Sequence, residues 1–236
     1  MSGAVERDGA RGGATEPSGV TTGARAGVAG VRADGRVAPV EGIGEDTVAA
    51  FHAQVAQAAR DRAGSWEVVA EVLEPPSPGL VERLRSGEIA TELRLAARWL
   101  GGDAEIFAGD LMRLDVHSRA ARRRSADDDL ATLAADHHLL GSDDSHLAAG
   151  ARAVAAACRD EAAAWAAGDT AGGRALRAHE QELITDALLP ALPDAAGRLA
   201  REGVSVVTRA LGSLVLAVLS VESGRDYQRA VLGPQA

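Results

Sequence analysis

The chain has no lysine; all 25 of its basic residues are arginine. It is also short of aromatics, with two Phe, three Trp and one Tyr, and it holds a single cysteine, Cys158. One cysteine rules out an intramolecular disulfide and fits a reducing compartment, so a cytoplasmic location is expected. The longest apolar run, Ala210 to Val221, is broken by Gly212, Ser213 and Ser220. It is too short to span a bilayer and predicts a buried core helix, with no stable membrane insertion. The first residues show no basic stretch followed by an apolar one, so no secretory leader is expected. A net charge of −9 excludes a general grip on nucleic acid and favours a basic ligand. The chain carries no G-x-S-x-G, Walker A, G-x-G-x-x-G or H-E-x-x-H pattern. No enzymatic activity and no cofactor are therefore expected.

What is abundant is Ala, Leu, Val, Arg and Glu, a helix-former's composition, and no alternation of strand length occurs. Residues 1–43 hold ten glycines and no aromatic. Such a segment buries too little apolar surface to offset its ordering entropy and is expected to be a disordered tail. From Glu45, Val48, Phe51, Val55, Ala58 or Ala59, Arg62, Trp66, Val69 and Leu73 recur at three- to four-residue steps, one face of a helix, with a soft spot at Gly64-Ser65. Pro75-Pro76 ends it, and Ser77-Pro78 reads as an N-cap with proline in the first turn of a short helix reaching Ser86. A helix over 88–100 stops at Gly101-Gly102, and Asp103 opens the next, with Phe107, Leu111 and Leu114 inward. Arg119 to Arg124 reads as a basic turn. Ser125 followed by Asp127, Asp128 and Asp129 marks a helix start, with Leu130, Leu133, His137 and Leu140 on its inner face. Leu147, Ala151, Val154, Cys158, Ala162 and Trp165 share another face, ended by Gly168-Asp169-Thr170. The next helix is expected to run to Leu189 with Leu176, Leu183 and Leu188 inward; Pro190 and Pro193 bend the chain before an apolar last helix over about 204–223. The expectation is an all-α chain, a single bundle of eight or nine helices over 44–228, with a short C-terminal tail at 229–236.

Asp136-His137-His138 and Asp143-Asp144-Ser145-His146 form the densest set of potential ligands. Adjacent His137 and His138 point about 100° apart on a helix, and bundle metal sites draw Glu and Glu-x-x-His from several facing helices, so no metal is expected here. Asp144 reads as an N-cap and His146 falls in the first turn that follows. Cys158 reads as a small buried hydrophobe, Arg122-Arg123-Arg124 as a solvated loop, and Trp66, Trp99 and Trp165 as core. His179, Glu180 and Glu182 read as a solvent-facing strip.

Taken in order, several pieces resemble the TorD/DmsD family of redox-enzyme maturation chaperones. Leu73-Glu74-Pro75-Pro76 is similar to the family's first Pro-rich turn, and Ala135 to Gly141 stands where an E-Y-x-x-L-F-x-G helix end is usual. Asp144-Ser145-His146-Leu147 resembles its D-H motif, Glu161 to Asp169 its E-A-x-A-W-x-x-G-D, and Leu188 to Pro193 its L-L-P-W-L-P-like turn. The resemblance spans residues 65–225 and is closest after 144. It implies an all-helical, non-catalytic protein that binds the twin-arginine signal peptide, or the immature catalytic subunit, of a molybdenum-containing oxidoreductase and holds back export until the cofactor is loaded. His146 carries over from the D-H motif into a peptide groove, with Asp144, Asp143 and Asp136 as carboxylates for the arginines. The chain departs from the family where Ser145 replaces the motif's Asp, Asp136 its Tyr, and only Ser142 and Asp143 fill a segment that is usually longer. The shortened segment implies a changed partner, a homodimer that rebuilds the missing part, or loss of chaperone activity. The alternatives from other classes are a helical accessory or assembly subunit of a redox complex and a metal-dependent helical enzyme.

Overall fold

The computed structural model describes residues 45–97, 104–121, 123–141 and 144–223. The expected tails, Asp143, Trp99 and the Gly101–Asp103 break lie outside them. Among the described residues there are nine α-helices and no strand: α1 (Glu45–Leu73), α2 (Pro78–Ser86), α3 (Glu88–Ala97), α4 (Ala104–Ala121), α5 (Ala126–His137), α6 (Ser145–Ala166), α7 (Thr170–Leu183), α8 (Leu192–Glu202) and α9 (Val206–Glu222), with one π-helical turn, Ile184–Leu188, extending α7. The chain is an all-α helical bundle, as its composition and periods predict.

Local chemistry sets most boundaries. α1 passes through Gly64-Ser65 unbroken, the Ser65 hydroxyl donating to the Asp61 carbonyl at 3.3 Å, and stops before Pro75-Pro76. Ser77 caps α2 by accepting from the Leu80 N–H at 3.1 Å, with Pro78 in the first turn where no N–H is needed. Gly87 ends α2 at φ +82°, a left-handed conformation that glycine adopts without a Cβ penalty. Ser125 caps α5 through the Asp127 N–H, and Asp127–Asp129 put negative charge on the positive end of its dipole. α4 continues to Ala121, so Arg119 to Ala121 is helical rather than part of a turn.

α1 packs along α6, α6 against α7, α3 against α1, α4 across α9, and α8 on α9. α9 is buried on nearly all sides, from Val207 to Ser220. A Cβ on Gly212 would lie 2.8 Å from the Ala196 carbonyl of α8, so glycine there lets the two backbones approach. One continuous core joins Trp66, Leu93, Phe107, Leu147, Val154, Leu188, Leu199 and Leu214. Each fully buried side chain of this kind contributes about 1.5–3 kcal/mol. The first turns of α1 depart from their expected burial. Residues 46–51 are all exposed, so Val48 and Phe51, at 43% and 55%, are not among the buried side chains. Phe51 instead stands edge-on to Trp165, ring centroids 6.1 Å apart.

Candidate functional site

A cleft of about 370 Å³ lies between α4, α5 and the first turn of α9. α4 presents Arg113, Val116, His117 and Ala120 at helical spacing; α5 answers with Asp128, Asp129, Thr132 and Leu133; α9 supplies Ser205, Val206 and Val207. Its walls are largely apolar with a few polar groups, the usual make-up of a ligand site, and 370 Å³ lies in the usual size range. Val116 and Val206 are 56% and 53% exposed, an uncovered apolar pair at its mouth.

The polar wall is a linked set. Asp129 is buried and accepts from Arg85 at 2.7 Å; the Arg124 guanidinium lies 3.2 Å from its other oxygen. Arg124 also meets His117 Nδ1 at 2.7 Å, and His117 Nε2 stands 3.9 Å from Asp129. A guanidinium has no acceptor, so Nδ1 must be the acceptor and carry no proton. Burial lowers the His117 pKa below the ordinary histidine value, and the nearby Arg124 charge lowers it further. Neutral imidazole is the form the wall is built around.

Asp136 anchors the far side of the cleft without lining it. It is buried, and its two oxygens accept from the Val204 N–H at 2.9 Å and the Ser205 N–H at 3.1 Å. Burial would raise its pKa, but these donors and the Thr208 hydroxyl outweigh it, leaving Asp136 below the usual aspartate value. Asp136 thus fixes the loop from which Val206 and Val207 enter the cleft. The expectation that it faces an incoming arginine is corrected by its burial: both oxygens serve the backbone.

Asp144 occupies the N-cap position of α6 but makes no capping bond to that helix. Its carboxylate pairs with Arg198 of α8 and accepts the Gly141 N–H at 2.9 Å, while Arg198 also donates to the Leu139 carbonyl at 2.8 Å. Asp136 and Asp144 therefore both tie the α8 region to the end of α5. His146 is exposed in the first turn of α6, and Asp143 lies outside the described residues. His137 Nε2 is buried without a hydrogen-bond partner, beside a void of about 20 Å³ lined by Asp136 and Thr208. His138 is exposed. Among the described residues no group of three or more His, Cys, Asp or Glu is arranged to hold a metal ion.

A second charged cluster sits inside the bundle. Arg62 of α1 reaches Glu161 of α6, Glu180 of α7 at 2.9 Å and Glu222 of α9 at 3.5 Å. Arg177 of α7 meets the same Glu180 at 2.7 Å and Glu222 at 2.9 Å. Trp165 donates to Glu161 at 3.1 Å. Glu180 is fully buried, which corrects its reading as part of a solvent-facing strip; only His179 and Glu182 are exposed. Cys158 lies beside this cluster, wholly buried, and burial pushes its thiol up. The sequence did hold a signal for the cluster: Arg62 falls on an apolar face and Glu222 closes an apolar helix.

No family model, no curated protein and no solved structure matches the chain. Among the described residues no helix is long and apolar enough to cross a membrane. The resemblance to TorD/DmsD chaperones rests on the residue pattern alone.

Proposed function

We propose that the protein is a cytoplasmic, non-catalytic chaperone. On this reading it binds the twin-arginine signal peptide, or the immature catalytic subunit, of a molybdenum-containing oxidoreductase and holds it during cofactor loading, before export. The observation that carries the reading is the open cleft between α4, α5 and α9, with Val116 and Val206 uncovered at its mouth. A signal peptide offers an apolar stretch beside a pair of arginines. Apolar walls suit the first, and the exposed Asp128 on the cleft rim suits the second through charge-assisted hydrogen bonds. The net charge of −9 favours encounter with a basic peptide. The order of motifs after residue 144 supports the same class.

Calorimetry with the signal peptide of the client subunit tests this. The wild type should bind, and raised salt should weaken the complex. Val116→Asp with Val206→Asp should cost about ten- to hundredfold in affinity without lowering the melting temperature. Asp144→Asn and His146→Ala test the residues carried over from the family motif and should each cost about tenfold. Loss only in the valine pair assigns the peptide to the cleft, and loss only in the second pair assigns it to the start of α6. No binding by the wild type leaves the accessory or assembly subunit as the better reading.

A further inference from the structure

The polar wall of the cleft contains one imidazole, His117, and its hydrogen bond is compatible with only one of its protonation states. His117 Nδ1 accepts from Arg124 at 2.7 Å, so a proton on that nitrogen would set one donor against another. The groups facing His117 are Arg124 from the α4–α5 connection, Asp129 of α5 and Arg85 of α2. Arg113 and Asp128 complete the charged lining, and the first turn of α9 adds Ser205, Val206 and Val207, none of which titrates. Asp129 is already matched by Arg85 and Arg124. A positive imidazole can therefore take Asp129 only in competition with these two guanidiniums, and Arg124, 43% exposed, is the partner that can leave for solvent.

We propose, resting on the peptide-binding reading above, that His117 is an acid-sensitive gate on this cleft. Neutral, it holds Arg124 against the α4–α5 wall and leaves the mouth open to an arginine-bearing apolar peptide. Protonated, it drives the Arg124 guanidinium from Nδ1 towards the mouth, takes Asp129 as its own partner, and adds one positive charge where the peptide's arginines must approach. Binding is then strong at neutral pH and weak in acid. One added charge about 6 Å from a peptide arginine, in an intermediate dielectric, corresponds to a change of about tenfold in affinity.

The test uses the full chain and a synthetic peptide carrying an Arg-Arg pair followed by a Leu/Ala run, titrated at pH 8 and at pH 5. The wild type should bind about tenfold more weakly at pH 5. In His117→Gln, which keeps an acceptor for Arg124 but cannot titrate, the two affinities should be equal whatever their absolute value. An equal pH dependence in wild type and His117→Gln overturns the gate and leaves the peptide reading standing. If the wild type binds at neither pH, the peptide reading fails and NMR titration of His117 decides the switch alone. A midpoint below the ordinary histidine range that rises in Arg124→Gln supports it, and an ordinary midpoint, or one unmoved by Arg124→Gln, overturns it.

Discussion

The Arg62 cluster and the His117 cluster use the same materials to opposite ends. The first sets three carboxylates, Glu161, Glu180 and Glu222, against two guanidiniums, Arg62 and Arg177, and buries all three carboxylates. It joins α1, α6, α7 and α9 and holds an excess of negative charge. The second sets Arg85 and Arg124 against the single carboxylate of Asp129, with a neutral imidazole between, on the wall of an open cleft. It holds an excess of positive charge and one group able to leave for water. Burial makes the first a structural lock whose carboxylates are cut off from water, whereas access to solvent makes the second adjustable.

Removing one partner from each cluster gives the sharpest contrast. Arg62→Leu leaves Glu161 without its guanidinium and Glu180 and Glu222 with Arg177 alone, and should cost about 3–5 kcal/mol in urea unfolding. A cost under about 1 kcal/mol would mean that water enters this end of the bundle. Asp136 is the intermediate case, a buried carboxylate held by uncharged donors. Asp136→Ala should cost about 1.5–3 kcal/mol at pH 7. Because its native pKa is lowered, the stability it supplies is present above the unfolded aspartate value and is lost as pH falls through the native one. The wild type should therefore lose its advantage over Asp136→Ala in strong acid.

Glu180 has the opposite sign. Burial raises its pKa above the ordinary glutamate value, although Arg62 and Arg177 oppose the rise. Below the unfolded value both states hold the proton. Between the two values only the native state does, so stability falls as pH rises through the native value. Glu180→Gln should flatten that decline and be more stable than wild type at pH 8 by on the order of 1 kcal/mol. A steeper decline in the variant would show that the folded protein favours the ionised form of Glu180. The smallest effect is expected at the open cluster: Arg124→Ala should change stability by less than about 1 kcal/mol, because the ion pair is partly solvated and Arg85 still covers Asp129.

The helices and their caps were legible because their signals are local. Ser77-Pro78, Ser125 with its three aspartates, and Gly168-Asp169 each specify a boundary within a few residues, and each is found where the spacing predicts. α8 went unplaced in the sequence although Leu192, Ala195, Ala196 and Leu199 carry a helical period, because Pro190 and Pro193 read as a bend. Burial at the ends of elements was not legible: Phe51 continues the apolar stripe of α1, but it meets the edge of Trp165 from α6 and stays 55% exposed. Nor was the cleft, whose walls come from residues 113–120, 128–133 and 205–207 and meet only through tertiary packing. Of the residues singled out in the sequence, Asp136 and Asp144 prove to be ties to α8 and its following loop, a role that depends on Arg198, Val204 and Ser205 far along the chain.

The π-helical turn at Ile184–Leu188 bears on how α7 can vary in length. Glu180 and Leu188 are eight residues apart, which in a regular α-helix would turn them about 80° from each other. The wide turn takes up one residue, so the two stand nearly as if seven apart, one facing the arginines and the other filling the core against Gly150. The helix therefore contains a spare residue. Deleting Thr185, which is exposed, returns the segment to a regular spiral while leaving Glu180 and Leu188 on the same line. A shortening that would twist most helices out of register is absorbed here, so a chain one residue shorter at this point keeps the same interior.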